Sequence, residues 1–237
     1  MNIDCVFTHE YFNAEIAETS TVIAIDILRA TSTIATALAN GAKEILPQKE
    51  IADAISLAKT LPTAILSGER NGDTLEGFDL GNSPLEFTRE RINDKSIVCC
   101  TTNGTTAITA AIAAPLVLCG SLLNASVTAQ AALAAGNDLI LLCSGTNGRV
   151  SYDDLIGAGC IIHKIYLQKQ QLGLTDAAKL AFQAYMINKQ DLLNGLLSSA
   201  HGDKLYRCDR REDVAYCAQE DLLATICVYQ NGKIISL

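Results

Sequence analysis

Short apolar runs rich in Ile, Val and Leu alternate with longer Ala-rich stretches over residues 3–143. The short runs predict β-strands, and the longer stretches between them predict α-helices. Strands are expected at residues 3–7, 21–26, 44–47, 64–67, 96–100, 116–119 and 138–143, with helices at 31–39, 51–60, 105–113 and 124–134. This alternation predicts an α/β fold with a mostly parallel sheet covered by helices.

The pattern becomes mainly helical after residue 150. Ser151 with Asp154 predicts a capping box in front of an apolar helix, and further helices are expected at residues 175–187 and 191–199. The dipeptide Asn231-Gly232 interrupts the final apolar run and predicts a β-hairpin. No low-complexity linker divides the chain, so residues 1–237 are expected to form a single compact α/β unit.

Two segments of the chain resemble one another. The segment that starts at Ile23 reads IAIDILRATSTIATALANGAKEIL, and the segment that starts at Ile97 reads IVCCTTNGTTAITAAIAAPLVL. Each predicts a strand, a tight loop, a helix and a second strand. A third strand and loop, at residues 139–151, share the Thr-Asn-Gly element. An internal duplication and the ordinary repetition of α/β units both account for this likeness. The loops follow the carboxyl ends of strands, where open α/β sheets bind their ligands.

Composition narrows the class of function. The net charge of −8 argues against a broad surface for nucleic acid or for an anionic membrane, because both need clustered Lys and Arg. No apolar run is long enough to span a bilayer, and the N-terminus lacks the pattern of a signal peptide. The nine cysteines lie mostly within apolar runs, without paired metal-ligand spacing. We therefore expect a cytoplasmic protein with reduced cysteines.

Asp26 ends an apolar strand, and Arg29 follows three residues later. A carboxylate at the end of a strand suits Mg²⁺ or a general base, and an arginine beside it can clamp a phosphoryl group with two hydrogen bonds. The alternative is an ion pair that only orients the turn. The position at the ligand-binding end of the sheet favours a functional role for both residues.

The loop TTNGTT at residues 101–106 also follows a strand and opens a helix. Helix N-termini present unpaired N–H groups that bind anions such as phosphate or sulfonate. Gly104 would let the backbone approach a ligand, while Asn103 and the threonines would add directional hydrogen bonds. The alternative is that these side chains only cap the helix. The loop does not have the Gly-Lys-Ser/Thr sequence of a Walker A loop.

The segment SGERNGDTLEGFDLGNSP, at residues 67–84, is rich in both glycine and carboxylates. A long irregular loop of this kind is more often functional than not. Glu69 and Asp79 are candidate oxygen ligands for Mg²⁺, which takes one or two carboxylates together with substrate phosphate and water. Arg70 is a candidate partner for substrate anions. Ser83-Pro84 predicts the start of a helix.

Cys143 and Arg149 have the Cys-x5-Arg spacing of the phosphate-binding loop in tyrosine phosphatases. In such a loop a thiolate attacks phosphorus while the arginine holds the phosphate oxygens. The sequence departs from that pattern because Leu142 precedes the cysteine where those enzymes have histidine, and Val150 follows the arginine. A buried Cys143, with Arg149 as an anion contact, is the favoured interpretation.

The histidines and the basic pair near the C-terminus are weaker candidates. His9, His163 and His201 do not cluster in the sequence. The pair Arg210-Arg211, which lies close to Asp213, is expected in a solvated loop.

At these residues the sequence resembles the 2-phosphosulfolactate phosphatase family. The resemblance rests on three blocks, AIDILRATSTIATALANGA, SGERNGDTLEGFDLGNSP and TTNGTTA, and on the later LCSGTNGRVSYDDLIGAG. It implies a three-layer α/β/α fold with two related, intertwined lobes. It also implies a Mg²⁺-dependent phosphomonoester hydrolase that converts (R)-2-phospho-3-sulfolactate to 3-sulfolactate and phosphate, on the route to coenzyme M.

We assign roles to the residues of these blocks on the basis of the resemblance. The candidate metal ligands are Asp26, Glu69 and Asp79, and the candidate catalytic residues are Asp26, Arg29 and Glu69. The candidate substrate-binding residues are Arg70, Thr102, Asn103, Gly104, Thr105, Asn147 and Arg149. The expected partner is a small phosphorylated acid, and the expected assembly is a homodimer. Two alternatives stay open: a phosphatase that uses Cys143 as nucleophile, and a protein that binds anionic metabolites without turnover.

Overall fold

The computed structural model describes residues 1–70 and 72–237 and contains one mixed sheet. The strands are β1 (Asn2–Val6), β2 (Ser20–Ile25), β3 (Glu44–Pro47), β4 (Ile65–Arg70), β5 (Asp73–Thr74), β6 (Ser96–Cys100), β7 (Leu116–Gly120), β8 (Asp138–Cys143), β9 (Gly173–Leu174), β10 (Cys227–Gln230) and β11 (Lys233–Ser236). Their order in the sheet is β5-β4-β6-β3-β11-β10-β7-β2-β8-β1-β9. The seven strands predicted from residues 3–143 are all present, with shifts of one to three residues at some ends.

The helices between the strands also agree with the sequence pattern. They are α1 (Ala14–Ala17), α2 (Ala30–Ala39), α3 (Ile51–Ala58), α4 (Arg89–Ile92), α5 (Gly104–Ala110), α6 (Ala125–Ala135), α7 (Tyr152–Gln168), α8 (Asp176–Asn188), α9 (Leu192–Leu197), α10 (Ala200–Arg207) and α11 (Arg211–Cys217). Short 3₁₀ turns lie at His9–Tyr11, Pro84–Glu86 and Leu122–Asn124. The last two helices, α10 and α11, were not predicted from the sequence.

The C-terminal hairpin lies in the middle of the sheet. Asn231 and Gly232 have φ values of 52° and 80°, which the tight turn between β10 and β11 requires, so the predicted hairpin is confirmed. Strand β11 pairs antiparallel with β3, and β10 pairs antiparallel with β7. The hairpin therefore joins two sets of parallel strands, β4-β6-β3 and β7-β2-β8-β1, that run in opposite directions.

Two crossovers connect these sets. The unit β2-α2-β3 runs from the second set to the first, and β6-α5-β7 runs back from the first set to the second. The carboxyl ends of β2 and β6 consequently lie at diagonally opposite corners of the sheet. The twist of a sheet lifts diagonal corners toward the same face. The loops after β2 and β6 meet there, rather than along one common edge.

The helices cover both faces of the sheet. One core cluster packs α2 and α5 against residues from both strand sets, such as Val22 and Ile97. On the opposite face, α6, α7 and α8 pack against β1, β2 and β8. Helix α3 covers that same face of β4 and β6. These three layers confirm the predicted α/β/α architecture. The expectation that residues 1–237 form a single unit without an internal boundary stays a prediction.

Local details differ from the expected chemistry in two places. Helix α7 begins after Ser151 as predicted, but the capping box is wrong, because the Ser151 hydroxyl donates to Asp153 and the Asp154 carboxylate binds elsewhere. Ser83-Pro84 starts only the short turn Pro84–Glu86. Within the long segment, β5 folds back on β4 as a hairpin. Asn71, between β4 and β5 in the sequence, lies outside the described residues.

None of the helices within residues 1–70 and 72–237 has both the length and the apolar character of a bilayer span.

The contact between α7 and α8 depends on Gly159. A Cβ atom at this position would lie 2.0 Å from the carbonyl oxygen of Ala181 and 2.7 Å from the Cβ of Tyr185. We expect Gly159→Ala to lower the free energy of unfolding by about 2 kcal/mol or more, because the two backbones must separate. Leu167→Ala, on the exposed side of the same helix, should change it by less than about 0.5 kcal/mol. Urea unfolding monitored by circular dichroism measures both; equal stability of Gly159→Ala and wild type would contradict this packing.

Candidate functional site

A cavity of about 160 Å³ opens where the loops after β2, β4, β6 and β8 converge. Its walls are Asp26, Leu28 and Arg29, then Glu69, Gly72 and Asn82, then Thr101, Thr102 and Asn103, then Thr146 and Asn147, and finally Ala200, His201 and Lys204 from α10. The structure thus brings together candidate residues from four separate blocks of the sequence.

Asp26 is a buried carboxylate at the base of this cavity. Its Oδ1 accepts a hydrogen bond of 3.1 Å from the N–H of Ala30, at the start of α2. Its own N–H donates to the hydroxyl of Thr31, which in turn donates to the Asp26 carbonyl. The turn after β2 is therefore fixed by its own polar groups. Oδ2 of Asp26 faces Gly104 at the start of α5.

The protonation state of Asp26 is set by burial. Its pKa is raised to about 7, mainly by removal from water and in addition by the nearby carboxylates of Asp153 and Glu69. The hydrogen bond from Ala30 and the charge of Arg29 oppose this shift. A carboxylate that is buried beside other carboxylates has a strong electrostatic need for a cation or a proton.

Glu69 is tied to backbone groups of two loops. Its Oε1 accepts hydrogen bonds from the N–H and the hydroxyl of Thr102, both at 2.9 Å, and its Oε2 accepts one of 2.8 Å from the N–H of Gly72. Burial alone would raise the pKa of Glu69, but these hydrogen bonds outweigh burial and hold the pKa below its usual value. Glu69 is thus the ionised carboxylate of the cavity.

Asp154 occupies a comparable position in the other half of the molecule. Its two oxygens accept hydrogen bonds from the N–H groups of Ile27, at 2.9 Å, and Gly145, at 3.0 Å. Burial and the neighbouring carboxylates of Asp153 and Asp26 raise its pKa. Ile27 is the second residue after β2, as Thr102 is the second residue after β6. Each half therefore uses one carboxylate to join the loops after two adjacent strands.

Arg29 reaches the cavity from a buried ion pair. Its guanidinium binds the Asp213 carboxylate and donates to the carbonyl of Gly72 at 3.3 Å. The other oxygen of Asp213 accepts a 2.6 Å hydrogen bond from the hydroxyl of Ser83. The pair Arg210-Arg211 was expected in a solvated loop; Arg211 is exposed, but it opens α11, which buries Asp213 behind Arg29. The charge of Arg29 is largely compensated by this pairing.

Five predicted site residues do not line the cavity: Arg70, Asp79, Gly104, Thr105 and Arg149. Arg70 points away from it and donates to the carbonyls of Glu69 and Lys49. Asp79 accepts a hydrogen bond from the N–H of Leu66, near the opposite end of β4 from Glu69. Arg149 is exposed, and its backbone pairs with Thr146. The strand β4 separates Asp79 from the cavity, and Arg70 follows Glu69 on the other face of that strand.

The loop after β6 has a mixed role. Thr102 and Asn103 line the cavity, and the Asn103 side chain does not cap α5. Thr105 instead bonds back to Thr101 through both its N–H and its hydroxyl. A Cβ at Gly104 would lie 2.4 Å from the Cβ of Ala30. Glycine is therefore needed here for the approach of α5 to α2, rather than for the approach of a ligand.

Several residues of the cavity were not predicted from the sequence, above all His201 and Lys204. They lie three residues apart on α10, a helix that the sequence pattern did not predict. The only signal was this spacing, which places two side chains on one helix face. Burial lowers the pKa of His201; among the charges that face it, Asp153 and Glu69 raise the pKa, whereas Arg29 and Lys204 lower it.

Cys143 is poorly placed to act as a nucleophile. Its side chain is fully buried in the core below the sheet, 3.9 Å from the sulfur of Cys5. The hydrogen bond with Cys5, together with burial, raises the pKa of the Cys143 thiol well above its ordinary value. A reactive cysteine needs a stabilised thiolate and access to solvent. The structure therefore argues against the cysteine mechanism.

The cavity fits a divalent cation held by few protein ligands. Asp26 and Glu69 both line it, but within residues 1–70 and 72–237 no three His, Cys, Asp or Glu side chains form a metal cluster. Oδ1 of Asn82, also in the wall, is buried and has no hydrogen-bond partner among the described residues. Mg²⁺ binds through one or two carboxylates, with waters and phosphate oxygens completing its shell. The buried Asp26 and the unpaired Asn82 oxygen suit that chemistry.

The raised pKa of Asp26 predicts a pH-dependent stability difference between the wild type and Asp26→Asn. The folded carboxyl keeps its proton up to about pH 7, whereas the unfolded one releases it near 3.8. The folded state therefore binds more protons between these values, and its stability falls as the pH rises. In EDTA, the free energy of unfolding of the wild type should fall by up to about 4 kcal/mol more than that of Asp26→Asn between pH 4 and pH 8. Urea unfolding at several pH values measures this; parallel profiles would contradict the burial of Asp26.

Comparison with known proteins finds relatives that match nearly the whole chain. A protein of Clostridium novyi (strain NT) is 40% identical over 99% of both chains, and one of Clostridium botulinum (strain Eklund 17B / Type B) is 34% identical over 100% of both. A third, from Caldanaerobacter subterraneus subsp. tengcongensis, is 36% identical over 96% of this chain and 95% of its own. Each is described as a probable 2-phosphosulfolactate phosphatase. Residues 6–232 match the family described as 2-phosphosulpholactate phosphatase, and the chain belongs to that family.

Proposed function

We propose that the protein is a Mg²⁺-dependent phosphoric monoester hydrolase that converts 2-phospho-3-sulfolactate to 3-sulfolactate and phosphate. The names of its relatives support the substrate. The observation that carries the proposal is the placement of Asp26, a buried carboxylate in need of a cation, at the base of a small cavity lined by anion-binding groups. A cavity of about 160 Å³ suits a three-carbon acid rather than a larger phosphoester.

Asp26 is the residue that we place at the centre of the chemistry. Its Oδ1 is held by Ala30, which leaves Oδ2 to bind the cation or to orient a water molecule toward phosphorus. Mg²⁺, when bound, neutralises phosphoryl oxygens and favours attack by water. Asn82 supplies a neutral oxygen to the same wall. Glu69 adds negative charge beside Asp26. Its oxygens accept hydrogen bonds from Thr102 and Gly72 and so hold these two loops together at the rim of the cavity.

Other groups that line the cavity are candidates to bind the phosphoryl oxygens. The Arg29 guanidinium is held in position by Asp213, so little side-chain entropy is lost when it contacts a ligand. The side-chain amides of Asn103 and Asn147 provide further hydrogen bonds at the mouth, whereas the Thr102 hydroxyl is already bound to Glu69. Such preorganised donors stabilise charge that develops in the transition state.

Phosphate release from 2-phospho-3-sulfolactate, followed with and without EDTA, tests the proposal. Activity should disappear in EDTA and return with Mg²⁺. Asp26→Asn should lower kcat/KM by at least about 100-fold, because the central carboxylate is lost. Asp79→Asn is the matched control and should stay within about threefold of wild type, since Asp79 lies away from the cavity.

Activity that survives EDTA, or an inactive Asp79→Asn, would overturn the proposed arrangement. Binding of 3-sulfolactate without any phosphate release would instead support the binding-protein alternative.

Cys143→Ala provides a separate test of the cysteine alternative. We expect kcat and KM within about twofold of wild type, and a loss of about 1 kcal/mol in stability, because a buried thiol is replaced by a smaller apolar group. A variant that folds normally but releases no phosphate would restore Cys143 as the nucleophile.

The cellular setting is also part of the proposal. All nine cysteines are free thiols, which supports a location in the reducing cytoplasm. The link with coenzyme M rests on the family resemblance alone. We further propose a homodimer, supported by the exposed apolar side chains Leu180 and Ile187 on α8. Light scattering after size-exclusion chromatography measures the assembly.

A further inference from the structure

The carboxylates of the strand loops are unfavourable for binding an anionic substrate. The wall formed by the strand loops carries the carboxylates of Asp26 and Glu69, and the charge of Arg29 is compensated by Asp213. The substrate under the proposed function is itself an anion with a phosphoryl, a carboxylate and a sulfonate group. Arg70 and Arg149, the residues expected to bind the last two groups, do not line the cavity. Another positively charged wall is needed.

Helix α10 supplies that wall. His201 and Lys204 both line the cavity and, at a spacing of three residues, lie on one face of the helix. Lys204 is exposed at the mouth, whereas His201 is half-buried among Asp153, Glu69, Arg29 and Lys204. A lysine carries a full positive charge, and an imidazole offers a hydrogen-bond donor in either protonation state.

The position of α10 is firmly fixed. The Ser199 hydroxyl accepts a 2.9 Å hydrogen bond from the N–H of Gly202, which caps the helix. A Cβ at Gly202 would lie 2.0 Å from the carbonyl oxygen of Leu196, so the helix lies directly against the end of α9. Leu205, one turn after His201, is buried in the core and anchors the helix there. The face that carries His201 and Lys204 is therefore held rigidly toward the cavity.

We infer that His201 and Lys204 form the subsite for the anionic group that is not transferred, the sulfonate or the carboxylate of the phosphorylated acid. This inference rests on the proposed function and assigns specificity to α10, while Asp26 and Arg29 act on the phosphoryl group. Charge-assisted hydrogen bonds from a lysine and a histidine to a fixed anion would select acids that carry a second anion over simple phosphomonoesters.

Steady-state kinetics with three substrates test this subsite. The substrates are 2-phospho-3-sulfolactate, 2-phospholactate, which lacks the sulfonate, and 1-sulfopropan-2-yl phosphate, which lacks the carboxylate. Lys204→Gln and His201→Gln should raise KM for the full substrate by about 10- to 100-fold, with kcat within about threefold. The substrate that lacks the recognised anion should show the same KM in wild type and variant. Lys179→Gln, an exposed charge change on α8, is the control.

Binding of 3-sulfolactate, measured by calorimetry, separates this inference from the proposed function. Weaker binding by Lys204→Gln supports the subsite even if the wild type releases no phosphate. Equal binding by wild type and variant overturns it. An equal rise of KM on all three substrates also overturns it, because the lysine would then contact the phosphoryl group. A fall in kcat with unchanged KM overturns it as well.

Discussion

Backbone N–H groups that are buried at the ends of strands must find acceptors, and this requirement shapes the whole site. Glu69 accepts hydrogen bonds from N–H groups of the loops after β4 and β6, and Asp154 accepts them from N–H groups of the loops after β2 and β8. Each carboxylate accepts from the second residue after one strand and from the loop after the neighbouring strand. Without these two acceptors, the four loops that enclose the cavity would have no fixed separation.

This use of carboxylates as hydrogen-bond acceptors concentrates negative charge in a small volume. The charges of Asp153 and Asp26 raise the pKa of the buried Asp154, the charge of Asp153 also raises that of Asp26, and Arg29 is held by Asp213. Acidic side chains thus stabilise the backbone of a site whose ligand is expected to be an anion. The subsite proposed on α10, and the cation proposed at Asp26, would offset this negative charge. Under these proposals, the strand loops fix the backbone of the site, and helix α10 recognises the substrate.

The sequence was sufficient to predict the strands, the main helices and the convergence of Asp26, Glu69 and Thr102. Strong apolar periodicity and the position of polar residues after strands carry that information. It was not sufficient to orient Arg70, because neighbouring residues on a strand point to opposite faces. It was also not sufficient to place Asp79, which lies in a loop that returns to Leu66. Helix α10 escaped prediction since its short run mixes glycine, charges and aromatic residues. The opposite direction of the two strand sets could not be predicted from the sequence either, because it results from the long-range pairing of the hairpin with both sets.

The central place of β10 and β11 has a consequence for assembly of the fold. Each parallel set can pair its own strands, but among the described residues it is 227–236 that supply the hydrogen bonds joining the two sets into one continuous sheet. The spacing between the loops of the two sets therefore depends on this short antiparallel ribbon, which also covers strand edges that would otherwise be open to pairing with other molecules.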